Sequence, residues 1–329
     1  MSSYAESWLK FEESLGGVRP VLKGSAEEMR DQFSGLGSVL ASQAPPFPEN
    51  KLKISDGEVG GVAYRTYTPL DFETKELPIG VFYHSGGFVV GSLDSEDGFC
   101  RYIALKASVV IVNVGYRLSP EHKAPAHLED AVSLYEWVSQ RPSSQPIDTI
   151  GGNHSTMFTI GTSAGGCLAL AVARKVVLGQ TNLPTDAITG VVALCPVAFH
   201  PQNIPAKFQA KHSSYKENKN NVPIVDEQSL LQMFDNTDID RDDKDYLPLL
   251  DDTCLKMFPR TYIVTCGMDT LRDDGKVLYD SLSSAGVATK TNHYGNMPHC
   301  FWIVPSLPET EVFLNGVISG INWAIKTSD

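Results

Sequence analysis

From about residue 48 onward the chain alternates between two patterns of apolar and polar positions. Short apolar runs rich in β-branched residues cover 59–67, 79–83, 108–114, 157–160, 188–194, 261–266 and 289–293, lengths that suit strands. Between them, residues 126–140, 164–178, 273–285 and 309–325 repeat apolar positions at helical spacing. Strands alternating with helices predict an α/β fold, a mainly parallel sheet with helices on both faces. Two regions depart from the alternation. Residues 1–48 read as helical and end at the punctuation Ala44-Pro45-Pro46-Phe47-Pro48. Residues 198–250 turn polar, and only 228–234 look both helical and apolar. An insertion between two strands of such a sheet usually lies over its ligand end. Residues 198–250 are therefore expected to form a lid, joined by 1–48, which leaves 49–197 and 251–329 as the two parts of one core.

Composition narrows the classes of function. Of 329 residues, 42% are hydrophobic and 20% charged, enough apolar content for one sizeable core and too much for disorder. Twenty-seven Lys and Arg against 39 Asp and Glu give a net charge of −12, which argues against a nucleic-acid partner. The one locally basic stretch, 211–219, reads as a solvated face. No apolar run approaches the ~18 residues that span a bilayer, and the first residues lack a signal-peptide apolar region, so a cytoplasmic protein with no membrane span is expected. Six cysteines (Cys100, Cys167, Cys195, Cys254, Cys266, Cys300) show no paired short spacing. They read as reduced core thiols, neither a disulfide frame nor a metal site. Asn153-His154-Ser155 matches a glycosylation sequon but has no secretory context.

The strongest chemical signal is Gly161-Thr162-Ser163-Ala164-Gly165, which lies between a predicted strand and a predicted helix. A serine there sits on a sharp turn, and the positions two before and two after it must be small so that neighbouring backbones fit. A hydroxyl is a weak nucleophile at neutral pH, so Ser163 needs a base, and the base needs a group that fixes its tautomer. Asp269 falls in the loop after the strand at 261–266, while Asp273 and Asp274 suit the first turn of the next helix, where carboxylates favour the dipole. His299 follows the last candidate strand; its rival His293 lies inside that strand. The remaining requirement is donors for the charge that develops on a tetrahedral intermediate, each worth ~3 kcal/mol. The turn His84-Ser85-Gly86-Gly87 answers it, because glycines let backbone N–H groups approach a ligand. The donors are then the amides of Gly86, Gly87 and Ala164.

Five blocks in order resemble the hormone-sensitive-lipase-like branch of the α/β-hydrolase fold: His84-Ser85-Gly86-Gly87-Phe88-Val89-Val90-Gly91-Ser92, Tyr116-Arg117-Leu118-Ser119-Pro120-Glu121-His122, Gly161-Thr162-Ser163-Ala164-Gly165-Gly166, Asp269-Thr270-Leu271-Arg272-Asp273 and His299-Cys300-Phe301. The resemblance implies a cofactor-free carboxylesterase with a helical cap made from the N-terminus and an insertion. By position it implies Ser163 as nucleophile, His299 as base and Asp269 as orienting carboxylate, with Arg117 and Glu121 structural. Two residues depart from that family's pattern: Ser85 stands where a glycine is usual, and Cys300 where a glycine usually follows the histidine.

The expected reaction is hydrolysis of a small to medium soluble ester, of a specialised metabolite such as a polyketide, through an acyl-enzyme. Acyl transfer, dehydration or cyclisation on the same scaffold stays open, as does a non-catalytic small-molecule receptor. Phe88, Phe99, Met233 and Phe234 are candidates for an apolar substrate pocket. No partner beyond the ester is implied, and the expected state is a monomer or homodimer.

Overall fold

The computed structural model describes residues 3–41, 43, 47, 50–70, 77–140 and 152–326. Eight strands form its centre: β1 (Leu52–Val59), β2 (Val62–Pro69), β3 (Pro78–Tyr83), β4 (Val110–Gly115), β5 (Asn153–Thr162), β6 (Gly190–Leu194), β7 (Arg260–Cys266) and β8 (Thr289–Tyr294). They lie in one sheet, ordered β1-β2-β4-β3-β5-β6-β7-β8. The β1–β2 and β2–β4 pairs are antiparallel and the other five parallel. Parallel strands need covering on both faces, and β3, β6 and β7 are accordingly buried at nearly every position.

The apolar pattern over 59–67 predicts one strand where the chain makes a hairpin. Gly60 and Gly61 turn it, both at positive φ (58° and 84°), which glycine adopts without a Cβ clash. The first arm, β1, is an edge strand whose residues are half-buried or exposed, so it carries too little apolar content to register as a strand.

Ten helices surround the sheet among the described residues: α1 (Glu6–Ser14), α2 (Ala26–Ala41), α3 (Asp97–Ala107), α4 (Ala126–Ser139), α5 (Ala164–Val177), α6 (Ala206–Gln209), α7 (Ser214–Glu217), α8 (Glu227–Thr237), α9 (Arg272–Ser284) and α10 (Pro308–Ala324). Helices α4, α5 and α9 share one core cluster, and α3 and α10 the other, on the opposite face of the sheet. Helix α3 is absent from the predicted set. Its buried stripe of Cys100, Ile103, Ala104 and Ala107 has helical spacing but is short and made of small residues. No described helix is long and apolar enough to cross a membrane.

The two segments outside the alternation meet. Val21 pairs with Ile224, Leu22 N–H donates to the Ile224 carbonyl, and Lys23 forms an ion pair with Asp226 at 2.8 Å. Asp226 in turn caps α8 by accepting from Ser229 N–H. Asp273 and Asp274, in the first turn of α9, hold residues 198–214 to the core. Asp274 accepts from the Ala198 and Phe199 amides, and Asp273 from those of Ser213 and Ser214. The boundary expected at Ala44-Pro45-Pro46-Phe47-Pro48 falls, except for Phe47, outside the described residues.

Candidate active site

Ser163 stands between β5 and α5 with φ 57° and ψ −117°, a conformation costly to a residue with a side chain and kept only where its surroundings fix it. Two close backbone approaches do so. A Cβ on Gly161 would lie 2.1 Å from the Gly165 carbonyl oxygen, and one on Gly165 1.9 Å from that of Tyr83 at the end of β3. The spacing of the two glycines about Ser163 is therefore set by packing of main chain on main chain. Ser163 N–H donates to the Leu194 carbonyl, and its own carbonyl accepts from Cys167 N–H, which pins the turn to β6 and α5.

His299 lies in the loop after β8, its Nε2 2.9 Å from Ser163 Oγ and its Nδ1 2.8 Å from Asp269 Oδ2. Asp269, fully buried in the loop after β7, accepts Leu271 N–H at its other oxygen. A carboxylate only accepts, so Nδ1 carries the proton and Nε2 offers a lone pair to the serine hydroxyl. Burial by itself lowers the His299 pKa; the Asp269 carboxylate, helped by its hydrogen bond and by neighbouring thiols, outweighs burial and raises it. His293 sits within β8, bonded through Nδ1 to Thr265 Oγ1 at 2.9 Å, away from Ser163.

Gly86 and Gly87 follow β3 with φ 121° and 60°. Their amides, and that of Ala164, donate to no acceptor among the described residues. The loop is braced from several sides. Val89 and Val90 N–H both return to the Gly86 carbonyl, and Ser85 N–H donates to Glu96 Oε2 at 2.7 Å. His84 donates from Nδ1 to the Ser85 carbonyl and stacks on Tyr116 at 4.2 Å, whose hydroxyl holds the His84 carbonyl. Burial pushes the His84 pKa down to about 4, so it is a neutral brace.

Glu96 escapes the sequence reading. It is 6% exposed, its Oε1 has no partner among the described residues, and burial raises its pKa. In the sequence it is one acid in the polar stretch 92–97, and nothing local marks it.

Phe88, Met233 and Phe234 come together with Gly87, Val197 and Leu230 around a cavity of about 10 Å³. Phe99 does not join them. It projects from α3 onto Phe82 and Phe313, ring centres 6.0 and 5.8 Å away, because α3 covers the other face of the sheet. A larger groove of about 480 Å³ runs between α1 and residues 306–308 and is lined by none of these side chains.

All six cysteines are buried and unpaired. Cys195, Asp269 and His299 present donor atoms within 4.8 Å of one another, the spacing a metal ion would need. Both ring nitrogens and both carboxylate oxygens are, however, already engaged by hydrogen bonds within the site.

Residues 80–303 match the protein family described as alpha/beta hydrolase fold. A versiconal hemiacetal acetate esterase of Dothistroma septosporum is 40% identical over 98% of this chain and 95% of its own length. An esterase of the same name from Aspergillus parasiticus is 32% identical over 97% of this chain and 98% of its own. Among solved structures, a hyperthermophilic esterase of the archaeon Pyrobaculum calidifontis shares the fold, with TM-score 0.81 and 24% identity over 98% of this chain and 100% of that one.

Proposed function

The chain belongs to the α/β-hydrolase fold family, in which hormone-sensitive-lipase-like enzymes fall, and is an ester hydrolase; we propose that Ser163, His299 and Asp269 carry its chemistry. The hydrogen-bonded line from Asp269 through His299 to Ser163, 2.8 and 2.9 Å, is the observation that supports this most directly. Ser163 Oγ attacks the ester carbonyl while Nε2 takes its proton, and the oxyanion forms against the amides of Gly86, Gly87 and Ala164. His299 passes the proton to the leaving alcohol. It then draws a proton from water, which attacks the acyl-enzyme and releases the acid. Asp269 holds the tautomer and stabilises the imidazolium between these steps.

The named activity of the two relatives points to the substrate: an acetate ester of a polyketide-type metabolite. Residues 1–48 and 198–250 form the cap over a core of 49–197 and 251–329, supported by the pairing of Val21 with Ile224. The six unpaired thiols suit a reducing, cytoplasmic setting, in which the enzyme works as a monomer or homodimer.

Replacing Ser163 by Ala tests the chemistry. Acetate-ester turnover is expected to fall by on the order of 10⁶-fold with the circular dichroism spectrum unchanged. Wild-type turnover in that variant, or failure of a fluorophosphonate to label Ser163, would remove the assignment.

A further inference from the structure

We infer that the small cavity beside Gly87 is the acyl subsite, and that Met233 on α8 closes it so that acetyl is the acyl group it accepts. This rests on the ester-hydrolase chemistry assigned to Ser163.

The position of the cavity follows from the reaction. The carbonyl carbon is bonded to Ser163 Oγ, its oxygen faces the amides of Gly86, Gly87 and Ala164, and the leaving alcohol must reach His299 Nε2 to be protonated. The third substituent, the acyl tail, therefore points away from His299. The cavity walls are Gly87, Phe88, Val197, Leu230, Met233 and Phe234, and none belongs to the loop that carries His299. One wall, Gly87, is a candidate oxyanion donor, and another, Val197, has its N–H 3.5 Å from the Ser163 carbonyl oxygen. The space thus borders the oxyanion loop and the main chain of the nucleophile, and no residue of the His299 loop lines it.

Its size sets what it holds. At about 10 Å³ it is a small cavity, on the scale of a methyl group and far short of an alkyl chain. A longer chain must displace a wall. Phe88 is held between His127 and Tyr246, ring centres 5.1 and 5.8 Å away, and Phe234 lies against His200 at 4.5 Å. Met233 lies on Gly87 itself: a Cβ built there would sit 2.2 Å from Met233 Sδ. Being 3% exposed and unbranched, it is the wall whose shortening opens the cavity with least rearrangement. All six lining residues are apolar, so the subsite offers no partner to a hydroxylated or charged acyl chain.

The test is a series of p-nitrophenyl esters, acetate, butyrate and hexanoate, on the wild type and on Met233→Ala. The wild type is expected to lose at least about 100-fold in kcat/KM from acetate to hexanoate, and Met233→Ala to raise the hexanoate-to-acetate ratio at least about tenfold. Rates of inactivation of the wild type by methyl- and hexylphosphonate esters read the same subsite without a variant; methyl is expected to react faster by a similar factor. Equal wild-type rates on acetate and hexanoate, or an unchanged ratio in a folded Met233→Ala, overturn the subsite. Absence of hydrolysis and of phosphonate labelling at every chain length instead overturns the role given to Ser163.

Discussion

At Cys300 the backbone has φ 52°, one residue after His299, where a side chain is disfavoured and glycine is not. Glycine, usual at this position in the resembling family, adopts that φ without a Cβ clash. Cys300→Gly should relieve this strain but gain chain entropy on unfolding and lose a buried thiol, so a urea titration is expected to show a stability change within about 1 kcal/mol and activity is kept. Ser85 is the other departure, and its contribution to the loop is its main-chain N–H on Glu96. Glycine keeps that donor, so Ser85→Gly is expected to hold kcat/KM on a small acetate ester within about threefold; a larger loss would assign work to the hydroxyl. The His299–Asp269 pair sets the pH response. With His299 as the proposed base, catalysis needs it neutral, so kcat/KM is expected to fall as pH drops through its pKa, which Asp269 holds above the ordinary 6.5 despite burial. Asp269→Asn removes that charge. The acid limb is expected to move to lower pH and kcat to fall by about 10⁴-fold, both read from a pH–rate profile.

Elements outside the sheet hold the reacting loops in place. Asn218, just after α7, donates from Nδ2 to the Asp269 carbonyl at 2.8 Å, and its own carbonyl accepts the Thr270 hydroxyl. Asn218→Ala should lower kcat about tenfold with little change in KM, because it loosens the loop that orients His299 rather than a substrate contact. Arg30 on α2 donates to the carbonyls of Val89 and Ser119 and forms an ion pair with Glu121 at 2.7 Å. Much of that pair is exposed and contributes little, but the charge-assisted bonds to two carbonyls anchor α2 beside the oxyanion loop. Arg30→Met is expected to speed proteolytic cleavage within residues 1–48, measured against the intact core; an unchanged cleavage rate would show that α2 is held elsewhere. These ties were illegible in the sequence because each joins residues far apart in the chain. Helix α3 and strand β1 were missed for a different reason: one has a stripe of small residues and the other a solvated edge.

The parallel sheet converts chain order into one site. In parallel strands every following loop emerges at the same end, so Gly86 and Gly87 after β3, Ser163 after β5, Asp269 after β7 and His299 after β8 converge although Ser163 and His299 are 136 residues apart. The sequence by itself determined the alternation of strands and helices, the serine turn, and the order of the proposed nucleophile, acid and base. Those signals are local: periodicity, small residues around one serine, and polar residues placed just beyond apolar runs. Only the tertiary structure decided which candidate aromatics share a cavity, since Phe88 and Phe99 look alike in sequence and lie on opposite sides of the sheet. It also set Met233 against Gly87 and Glu96 under Ser85. Those contacts are fixed by how separate elements pack, and no short stretch of the chain carries that information.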